Sequence, residues 1–586
     1  MSKQSIEQLV QSALDSLHQS GKLVVPYSVI QIDATKDKQH GDFSCNIAMV
    51  LAKAARMKPR DLADMIVAAL PASSLLTKVE IAGPGFINFF LSSHAFYQVI
   101  QDILIQGEHY GRADVGKGKR ILLEFVSSNP TGPLHVGHGR HAAYGAIVAN
   151  LLNYIGYQVH CEYYVNDAGR QMDILAVSIW LRYLSLFEEK INFPVNAYQG
   201  DYVIDIAKKL KEKYQQSLYQ SVTDVFHAVG VDEPQGGDKE RYIDAVIERA
   251  KALLGQVGYQ QLVEFGLACI IEDIRQDLAE FGVHYSTWFS EREFIQTGAV
   301  ERLIENLQAQ NLVYEKEGAL WFKATAFGDE KDRVLQRSNG QRTYFANDVG
   351  YHINKFERGF DAAINIFGSD HHGYIPRMKA ALQASGIPDD KLTYLLVQFV
   401  TLYRGGQQAS MSTRSGSFVT LRELRAEVGN DAARFFYVMR KCEQPMDFDL
   451  DLAKSQSNEN PVYYIQYAHA RICSVFRQMQ ERGLKYDQNQ AVLYLEQLTA
   501  DQEKHLLTTL SRYPETVKAA AEGYAPHLLT HYLRELANDF HVYYNSHQFL
   551  IDEDTVRQAR LALIAATRQV LINGLTLLGV STPDRM

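Results

Sequence analysis

The chain has 586 residues, of which 46% are hydrophobic and 22% are charged, and its formal net charge is −9. That length predicts several domains, each with its own core, and the composition is typical of a soluble globular protein. We see no run of eighteen or more apolar residues, which argues against a membrane span, and the polar N-terminal segment predicts an amphipathic helix rather than a secretion signal. The acidic total does not exclude a nucleic-acid partner, because such binding depends on a local basic face.

The cysteine pattern bears on compartment and metal content. Five cysteines lie far apart with no C-x-x-C pair: Cys45, Cys161, Cys269, Cys442 and Cys473. This spacing argues against a zinc module or a disulfide framework and for a reducing environment. We therefore predict buried thiols, no bound metal and a cytoplasmic protein.

The first segment, residues 1–112, predicts a separate α+β module. A helix is predicted over about 3–18, a second helix after Phe43, and a strand–turn–strand over 79–91. The stretch 111–120, rich in glycine and lysine, is typical of a linker.

The middle segment, residues 113–455, predicts an α/β fold with a Rossmann-type parallel sheet. A strand at 121–126, a helix at about 137–155 and a strand at 158–165 form a β-α-β unit. Residues from about 170 to 285 are predicted to be a helical insertion. Strand-like segments resume at 319–322, 343–345 and 363–367.

The last segment, residues 456–586, predicts a C-terminal all-α helical bundle. One apolar stripe at helical spacing starts it, and a second covers 556–578. The first stripe consists of Val462, Ile465, Ala468, Ile472, Val475 and Met479.

The most specific feature is the turn between the strand at 121–126 and the following helix. Glu124 ends the apolar run, and His135-Val-Gly-His138 opens the helix. Free N–H groups and the helix dipole favour anions at such a position, and Gly137 permits close approach to the backbone. The pattern resembles the H-x-G-H signature of class I aminoacyl-tRNA synthetases and related nucleotidyl transferases. A zinc site is disfavoured, because His141 follows one turn later but no cysteine or carboxylate completes a ligand set.

A second motif fits the other half of such a site. The polar stretch from Ser410 to Leu421 corresponds in place to the class I K-M-S-K-S loop, and Arg414 offers a permanently charged fork to phosphate oxygens. Both lysine positions of that motif are altered here. We therefore leave open which group supplies the missing positive charge.

From end to end the chain resembles the arginyl-tRNA synthetase family. The matching stretches lie in all three predicted domains: Gly41-Asp-Phe-Ser, Gly83-Pro-Gly-Phe-Ile-Asn88, Glu124 to His138, Asn166-Asp-Ala-Gly-Arg-Gln171, Thr343 to Asp348, Gly368-Ser-Asp-His-His372, Asn460 to Arg471 and Leu577 to Asp584. The resemblance implies ATP with Mg²⁺, L-arginine and tRNA(Arg) as substrates and partners. It also implies that the protein is a monomer and does not associate with a membrane. It implies two steps, formation of arginyl-adenylate and transfer of arginine to the terminal tRNA adenosine, with no protein nucleophile.

The resemblance also implies site residues. For arginine they are Glu124, Ser127, Asn129, Tyr344, Asp348 and His371. For ATP they are Pro133, His135, Gly137, His138, Asp370, Met411 and Ser412. Catalysis is assigned to His135, Gly137, His138 and Arg414. For tRNA they are Phe86, Asn88, Tyr463, Tyr467 and Arg471.

Physical chemistry supports a cationic amino acid but leaves alternatives. A guanidinium needs carboxylates and oxygen acceptors, and an unpaired Glu124 at the end of a buried strand would be costly without a cationic ligand. A structural ion pair is the competing explanation for Glu124 or Asp348 alone. Other readings of the whole chain are a class I synthetase for another amino acid, a cytidylyl transferase, or a noncatalytic tRNA-binding paralogue.

Overall fold

The computed structural model describes residues 3–27, 30–35, 37–187, 190–409 and 419–586. These form two compact units, one built from Met1–Ala113 with Gln456–Met586 and the other from Asp114–Ser455. The predicted N-terminal and C-terminal segments therefore belong to the same unit.

The N-terminal part of the first unit is an α+β module, as predicted. Its elements are α1 (Lys3–Gln19), β1 (Ile32–Ala34), β2 (Phe43–Cys45), α2 (Ile47–Ala55), α3 (Pro59–Ala69), β3 (Leu76–Ala82), β4 (Phe86–Leu91) and α4 (Ser93–Gln106). The strands form an antiparallel sheet in the order β1-β2-β4-β3. The short strand β2 comes before the helix that was predicted to follow Phe43. Apolar faces of the helices and of β4 share one core, which includes Ile6, Leu14, Leu62 and Phe89.

The second unit begins with the predicted β-α-β unit and the helical insertion. Its first elements are β5 (Arg120–Phe125), α5 (Val136–Tyr154), β6 (Gln158–Val165), α6 (Arg170–Ser185), α7 (Asp201–Tyr214), α8 (Val222–Val225) and α9 (Lys239–Glu280). The helix α9 is interrupted at Gly255, whose φ of +63° is a left-handed conformation.

Shorter strands and helices complete the second unit. They are β7 (Thr287–Ser290), α10 (Glu291–Gln296), α11 (Ala299–Ala309), β8 (Val313–Lys316), β9 (Ala319–Phe322), β10 (Arg333–Gln336), α12 (Tyr344–Glu357), β11 (Ala362–Gly368), α13 (Ile375–Ala384), β12 (Leu392–Val397), β13 (Val400–Arg404), β14 (Gln407–Gln408), α14 (Leu421–Val428), α15 (Asn430–Tyr437), β15 (Met446–Asp449) and α16 (Leu450–Lys454).

A five-stranded sheet forms the centre of this unit. Its order is β12-β11-β5-β6-β7, and every neighbouring pair is parallel. The predicted Rossmann-type parallel sheet is therefore confirmed. In such sheets ligands bind beyond the carboxyl ends of the strands, where the strand order changes direction.

The strand predicted at 343–345 is wrong, because this stretch begins the helix α12. The Thr343 hydroxyl accepts a hydrogen bond from the Ala346 amide at 3.3 Å and caps the helix. The aromatic pair Tyr344-Phe345 looked strand-like, but Phe345 and Val349 lie one helical turn apart and are both buried. Asp348 is therefore on a helix and not at a strand end.

The C-terminal part of the first unit is helical, as predicted. Its helices are α17 (Pro461–Glu481), α18 (Gln488–Ala491), α19 (Asp501–Ser511), α20 (Tyr513–Glu522), α21 (Pro526–Ser546) and α22 (Asp554–Leu578). All six members of the stripe that begins at Val462 are buried. Among the described residues, α22 alone is long and apolar enough to cross a membrane, and 78% of its most apolar window is buried inside the protein.

Candidate active site

A cavity of about 960 Å³ lies beyond the carboxyl ends of β5, β6 and β11. Many of the residues that the sequence singled out line it together: Glu124, Ser127, Asn129, Pro133, His135, His138, Tyr344, Asp348, Asp370 and His371. Residues 411, 412 and 414, which were assigned to ATP and catalysis, lie outside the described residues. The cavity therefore unites the strand end, the H-x-G-H turn and the first turn of α12.

The two histidines are held by the start of α5. The Nδ1 atom of His135 accepts hydrogen bonds from the amides of Gly137 (3.1 Å) and His138 (3.4 Å), and Nδ1 of His138 accepts from the His135 amide at 3.3 Å. The rings stack with their centroids 3.6 Å apart. The sequence-based expectation that these amides point at a ligand is thus wrong, because the rings occupy them.

Gly137 is needed for this arrangement. A Cβ atom at Gly137 would lie 2.9 Å from Cε1 of His135, closer than real contacts allow. Glycine here makes room for the His135 ring, whereas the sequence suggested that it makes room for a ligand.

Both rings are neutral donors. Burial lowers the pKa of His135, and burial together with the nearby His135 lowers the pKa of His138 well below its usual range. A neutral ring whose Nδ1 accepts a hydrogen bond carries its hydrogen on Nε2. His141, which also lines the cavity, has a pKa lowered to about 4 by burial.

Glu124 is paired inside the protein. Its Oε2 accepts a hydrogen bond from Lys355 Nζ at 2.6 Å, and the Lys355 side chain is fully buried. Lys355 also donates to Asn365 Oδ1 at 2.8 Å. Of the two explanations left open for Glu124, the structural ion pair is therefore the one that the structure shows, and Lys355 supplies the positive charge.

Asp348 and Glu291 are a different kind of carboxylate. Burial raises the pKa of Asp348 to about 6, partly offset by the Tyr374 hydroxyl, which donates to Asp348 Oδ2. Burial, and then repulsion from Asp348, raises the pKa of Glu291 to about 7. Two carboxylates with no ion-pair partner among the described residues form a site for a cationic group.

The backbone between Glu124 and the H-x-G-H turn is strained. Val126 and Ser127 have φ values of +66° and +42°, a left-handed conformation that is uncommon for residues other than glycine and especially so for the β-branched Val126. Ser127 is held there by two bonds, one from its hydroxyl to Glu124 Oε1 (3.2 Å) and one to its hydroxyl from the Tyr164 amide (3.1 Å). At these two residues the chain leaves the sheet and turns to form part of the cavity wall.

The remaining predicted residues lie at the cavity edges. Asn129 is exposed, and its Oδ1 accepts from Asn166 Nδ2 at 3.0 Å. Tyr344 is 68% exposed. Asp370 and His371 are exposed on the short 3₁₀ turn that follows β11. These side chains face solvent from the rim.

Sequence reasoning missed several lining residues. Glu291, Tyr374, Tyr164 and the segment 195–200 all line the cavity. Glu291 directly follows β7, so the rule that sites lie beyond parallel strand ends would have found it once β7 was recognised. The segment 195–200 comes from the helical insertion, and no local sequence pattern indicates that this segment lines the cavity.

The predicted tRNA contacts divide by exposure. Phe86 is 39% exposed, whereas Asn88 is only 4% exposed within the sheet. The prediction that Asn88 contacts tRNA is therefore not supported, because its neighbours in the sheet cover it. On α17 the rings of Tyr463 and Tyr467 stack at 6.0 Å, and the Arg471 guanidinium lies 4.4 Å from the Tyr467 ring centre.

One group of possible metal ligands occurs among the described residues. His469, Cys473 and Asp584 place one ligand atom each within 4.8 Å of one another. However, His469 Nδ1 lies 3.0 Å from the Pro583 carbonyl oxygen, and Cys473 Sγ lies 3.3 Å from Asp584 Oδ1. Hydrogen bonding of the C-terminal tail to α17 accounts for this cluster.

Comparison with known proteins agrees with this geometry. The family described as "tRNA synthetases class I (R), catalytic domain" matches residues 99–444. "Arginyl tRNA synthetase N terminal domain" matches residues 4–91, and "DALR anticodon binding domain" matches residues 465–586. A parallel sheet carrying an H-x-G-H turn at its carboxyl edge, together with these matches, defines a class I aminoacyl-tRNA synthetase.

Individual relatives make the assignment narrower. The chain is 60% identical over 585 residues to an arginine–tRNA ligase of Thioalkalivibrio sulfidiphilus and 56% identical to one of Coxiella burnetii, with all of both chains covered in each case. It therefore belongs to the arginyl-tRNA synthetase family, whose activity is the ATP-dependent charging of tRNA with arginine in translation.

Solved structures share the fold. A putative arginyl-tRNA synthetase from Campylobacter jejuni is 30% identical, with a TM-score of 0.73 over 85% of this chain and all of that one. Arginyl-tRNA synthetase from Thermus thermophilus, at 22% identity, has a TM-score of 0.72 over the full length of both chains.

Proposed function

We propose that the cavity activates arginine as an adenylate and then passes it to tRNA. The arginine carboxylate attacks the α-phosphate of ATP, the bond to the β-phosphate oxygen breaks, and pyrophosphate leaves. The 2′-hydroxyl of the terminal tRNA adenosine then attacks the activated carbonyl, and AMP leaves with its phosphate. Neither step needs a protein nucleophile, so positioning and charge stabilisation carry the catalysis.

The carboxylate side of the cavity would bind arginine. Asp348 and Glu291 are the partners for the guanidinium, because neither forms an ion pair among the described residues and burial raises the pKa of both. Glu124 acts through Lys355 and Ser127 as a fixed part of the wall. Other residues around the same space would complete the arginine site: Ser127, Asn129, Tyr344 and His371.

The histidine side would bind ATP. The Nε2–H groups of His135 and His138 would donate to phosphate oxygens, and Gly137 keeps the two rings stacked. Pro133 and Asp370 line the same cavity, and Asp370 would bind a ribose hydroxyl of ATP. Met411, Ser412 and Arg414 remain proposed ATP and catalytic residues, with Mg²⁺ entering as part of the ATP substrate.

One observation carries this assignment. The same cavity holds neutral histidine donors along one wall and two carboxylates of raised pKa, Asp348 and Glu291, along another. A triphosphate needs donors, and a guanidinium needs carboxylates. ATP and arginine together satisfy both requirements.

Pyrophosphate exchange tests this arrangement. We expect exchange with arginine, and we include assays with and without tRNA because members of the family generally need bound tRNA for activation. Citrulline has nearly the same shape but an uncharged side chain, so it should support less than about a hundredth of the arginine rate if the paired carboxylates select for the guanidinium charge. Equal exchange with citrulline, or exchange with glutamate or cysteine instead, would refute the proposed pocket.

The aromatic cluster on α17 is the proposed anticodon reader. Single-stranded bases stack on aromatic rings and arginine planes, and Tyr463, Tyr467 and Arg471 present such surfaces. We expect Tyr467→Ala to raise the KM for tRNA by about 5- to 100-fold, the loss of one stacked base. Tyr494→Ala, at a half-buried tyrosine elsewhere in the same unit, is the control. Phe86 is the proposed contact in the N-terminal module.

The domain and cellular assignments are proposals of the same kind. Residues 1–112 would form the tRNA-contacting domain, 113–455 the catalytic domain and 456–586 the anticodon-binding domain. The enzyme would work in the cytoplasm as a monomer. Light scattering of the purified protein, which should give a mass near 66.3 kDa, checks the last point.

A further inference from the structure

The segment that follows residue 418 is hydrogen-bonded directly to the H-x-G-H turn. The Val136 amide donates to the Val419 carbonyl at 3.2 Å, and the Leu421 amide donates to the Leu134 carbonyl at 2.8 Å. His135 and Thr420 face each other in an antiparallel bridge. The backbone that carries His135 is thus one strand of a small two-stranded ladder.

The other strand of this ladder runs without a break into α14. Thr420 caps that helix, since its hydroxyl accepts from the Glu423 amide at 3.1 Å while Glu423 Oε2 accepts from the Thr420 amide at 2.7 Å. Leu421, at the first turn, is buried against α5, where a Cβ atom at Gly139 would come within 2.7 Å of it. A shift of α14 would therefore move the ladder and the turn with it.

A buried arginine holds α14 in place against α9. Arg425 donates from Nη1 to Asp277 Oδ1 (2.6 Å), from Nη2 to Glu280 Oε2 (2.9 Å) and from Nε to Asn430 Oδ1 (2.9 Å). Its side chain is 11% exposed, and that of Asp277 is 1% exposed. Two of the three guanidinium nitrogens thus bond to the end of α9, and the third bonds to Asn430 at the start of α15.

The neighbouring groups strengthen this contact. Arg422 donates to Asp273 Oδ1 at 2.9 Å and lies 3.8 Å from Asp277. The second oxygen of Asp277, Oδ2, is buried and has no hydrogen-bond partner among the described residues. An aspartate buried so deeply depends on its arginines, because an unpaired charge in that place is costly.

We propose that Arg425 is a positioning residue of the adenylation step. By fixing α14 to α9, it fixes the ladder that holds His135 and His138 in position in the cavity. The inference rests on the proposed role of the two histidines. Arg425 itself does not line the cavity. Its effect reaches the cavity through Thr420 and the backbone of residues 134–136.

The test compares Arg425→Gln with Arg333→Gln in the full-length enzyme. Arg333 and Asp329 form an equally buried pair in the same unit, with side-chain exposures of 10% and 1%, but they lie on the β9–β10 side and not beside α14. Arg333→Gln therefore reproduces the loss of a buried ion pair without disturbing the ladder.

For Arg425→Gln we expect kcat of pyrophosphate exchange to fall about 10- to 100-fold, because misplacement of catalytic groups by about 1 Å has effects of that size. The KM for ATP should rise, and the KM for arginine should stay within twofold, because Asp348 and Glu291 belong to other elements. For Arg333→Gln all three constants should stay within twofold at a similar loss of thermal stability. Equal behaviour of the two variants would overturn the proposal.

Milder variants keep the proposal testable if the glutamine variants do not fold. Arg425→Lys keeps the charge but loses the fork, and Arg333→Lys is its match. Asp277→Asn should repeat the kinetic pattern of the Arg425 variant, and the double variant Arg425→Gln/Asp277→Asn should be no slower than the worse single one. Additive losses of activity in the double variant would show that Arg425 and Asp277 act independently, and they would overturn the proposal.

The same data separate failure of this inference from failure of the histidine assignment. If His138→Ala retains full exchange activity, the proposed role of the histidines is wrong whatever Arg425 does. If His138→Ala is slow and Arg425→Gln behaves like Arg333→Gln, only the positioning role is wrong.

Discussion

The two walls of the cavity differ in their charge before a ligand binds. On the histidine wall, where a polyanion would bind, the side chains are neutral and their Nδ1 atoms bond to the first turn of α5. On the carboxylate wall, Asp348 and Glu291 have raised pKa values and repel each other. The histidine wall is complete before any ligand arrives, whereas the carboxylate wall becomes fully charged most favourably when a cation is present.

The largest expected effect is on the carboxylate wall. Asp348→Asn keeps the shape of the side chain but removes its charge, and we expect kcat/KM for arginine to fall by about 10³-fold, in the range found when one partner of a buried charge pair is removed. The KM for ATP should change less than twofold. Asp370→Asn, at an exposed carboxylate of the same cavity, should leave the KM for arginine unchanged. A matching loss in both substrates for Asp348→Asn would contradict the division into two walls.

The next effect is on the histidine wall. His138→Ala removes one preorganised donor, and we expect adenylation measured by single turnover to slow by about 10²- to 10³-fold. Arginine affinity measured by calorimetry should not change. His160→Ala, at a histidine on β6 that pairs with Thr287, serves as control and should be within twofold of the parent enzyme. Loss of arginine affinity in His138→Ala would show that the walls are not independent.

The pH dependence distinguishes the walls further. A guanidinium binds the ionised forms of Glu291 and Asp348, whose pKa values are raised to about 7 and about 6, so protonation competes with arginine. The KM for arginine should rise as the pH falls from 8, by up to about tenfold per unit below pH 7 and more steeply below pH 6. The KM for ATP should not follow this curve, because burial lowers the pKa of both histidines and so favours their neutral donor form. Glu291→Gln should remove the part of the arginine curve near pH 7.

The smallest expected effect is on stability. A carboxyl whose folded pKa lies above its unfolded value makes folding less favourable as the pH rises between the two values. For Glu291 that range runs from about 4.5 to about 7. Glu291→Gln should therefore raise the unfolding free energy at pH 8 by about 2–3 kcal/mol, and by little at pH 4.5. Urea denaturation at both pH values measures this difference, and a gain that is equal at both would exclude the ionisation of Glu291 as its cause.

Much of the fold followed from local patterns. The β-α-β unit, the strand at 158–165 and the apolar stripe on α17 were predictable because each has a regular apolar period and a clear glycine or cap at its end. The short strands β7, β10 and β13 were not, because each mixes polar and apolar residues, whereas the equally short β9 is wholly apolar and was predicted. The strand predicted at 343–345 failed because a capping threonine outweighed two aromatic residues.

The site was predictable where one motif held several of its groups. His135, His138 and Asp348 were placed in one cavity by resemblance. The pairing of Glu124 with Lys355 was not foreseen, because the two residues are 231 positions apart and meet only through the packing of α12 on the sheet. Glu291 was missed because β7, the strand that it directly follows, was not predicted.

The buried lysine beneath the cavity has a consequence for specificity. Glu124, Glu291 and Asp348 together bring three negative charges, and Lys355 brings one positive charge that cannot leave. Glu291 and Asp348 are left for a ligand to balance, and in the proposed site the guanidinium of arginine is their counterpart. Because Lys355 already balances Glu124, an amino acid with an uncharged side chain would leave both of these carboxylates without a cation.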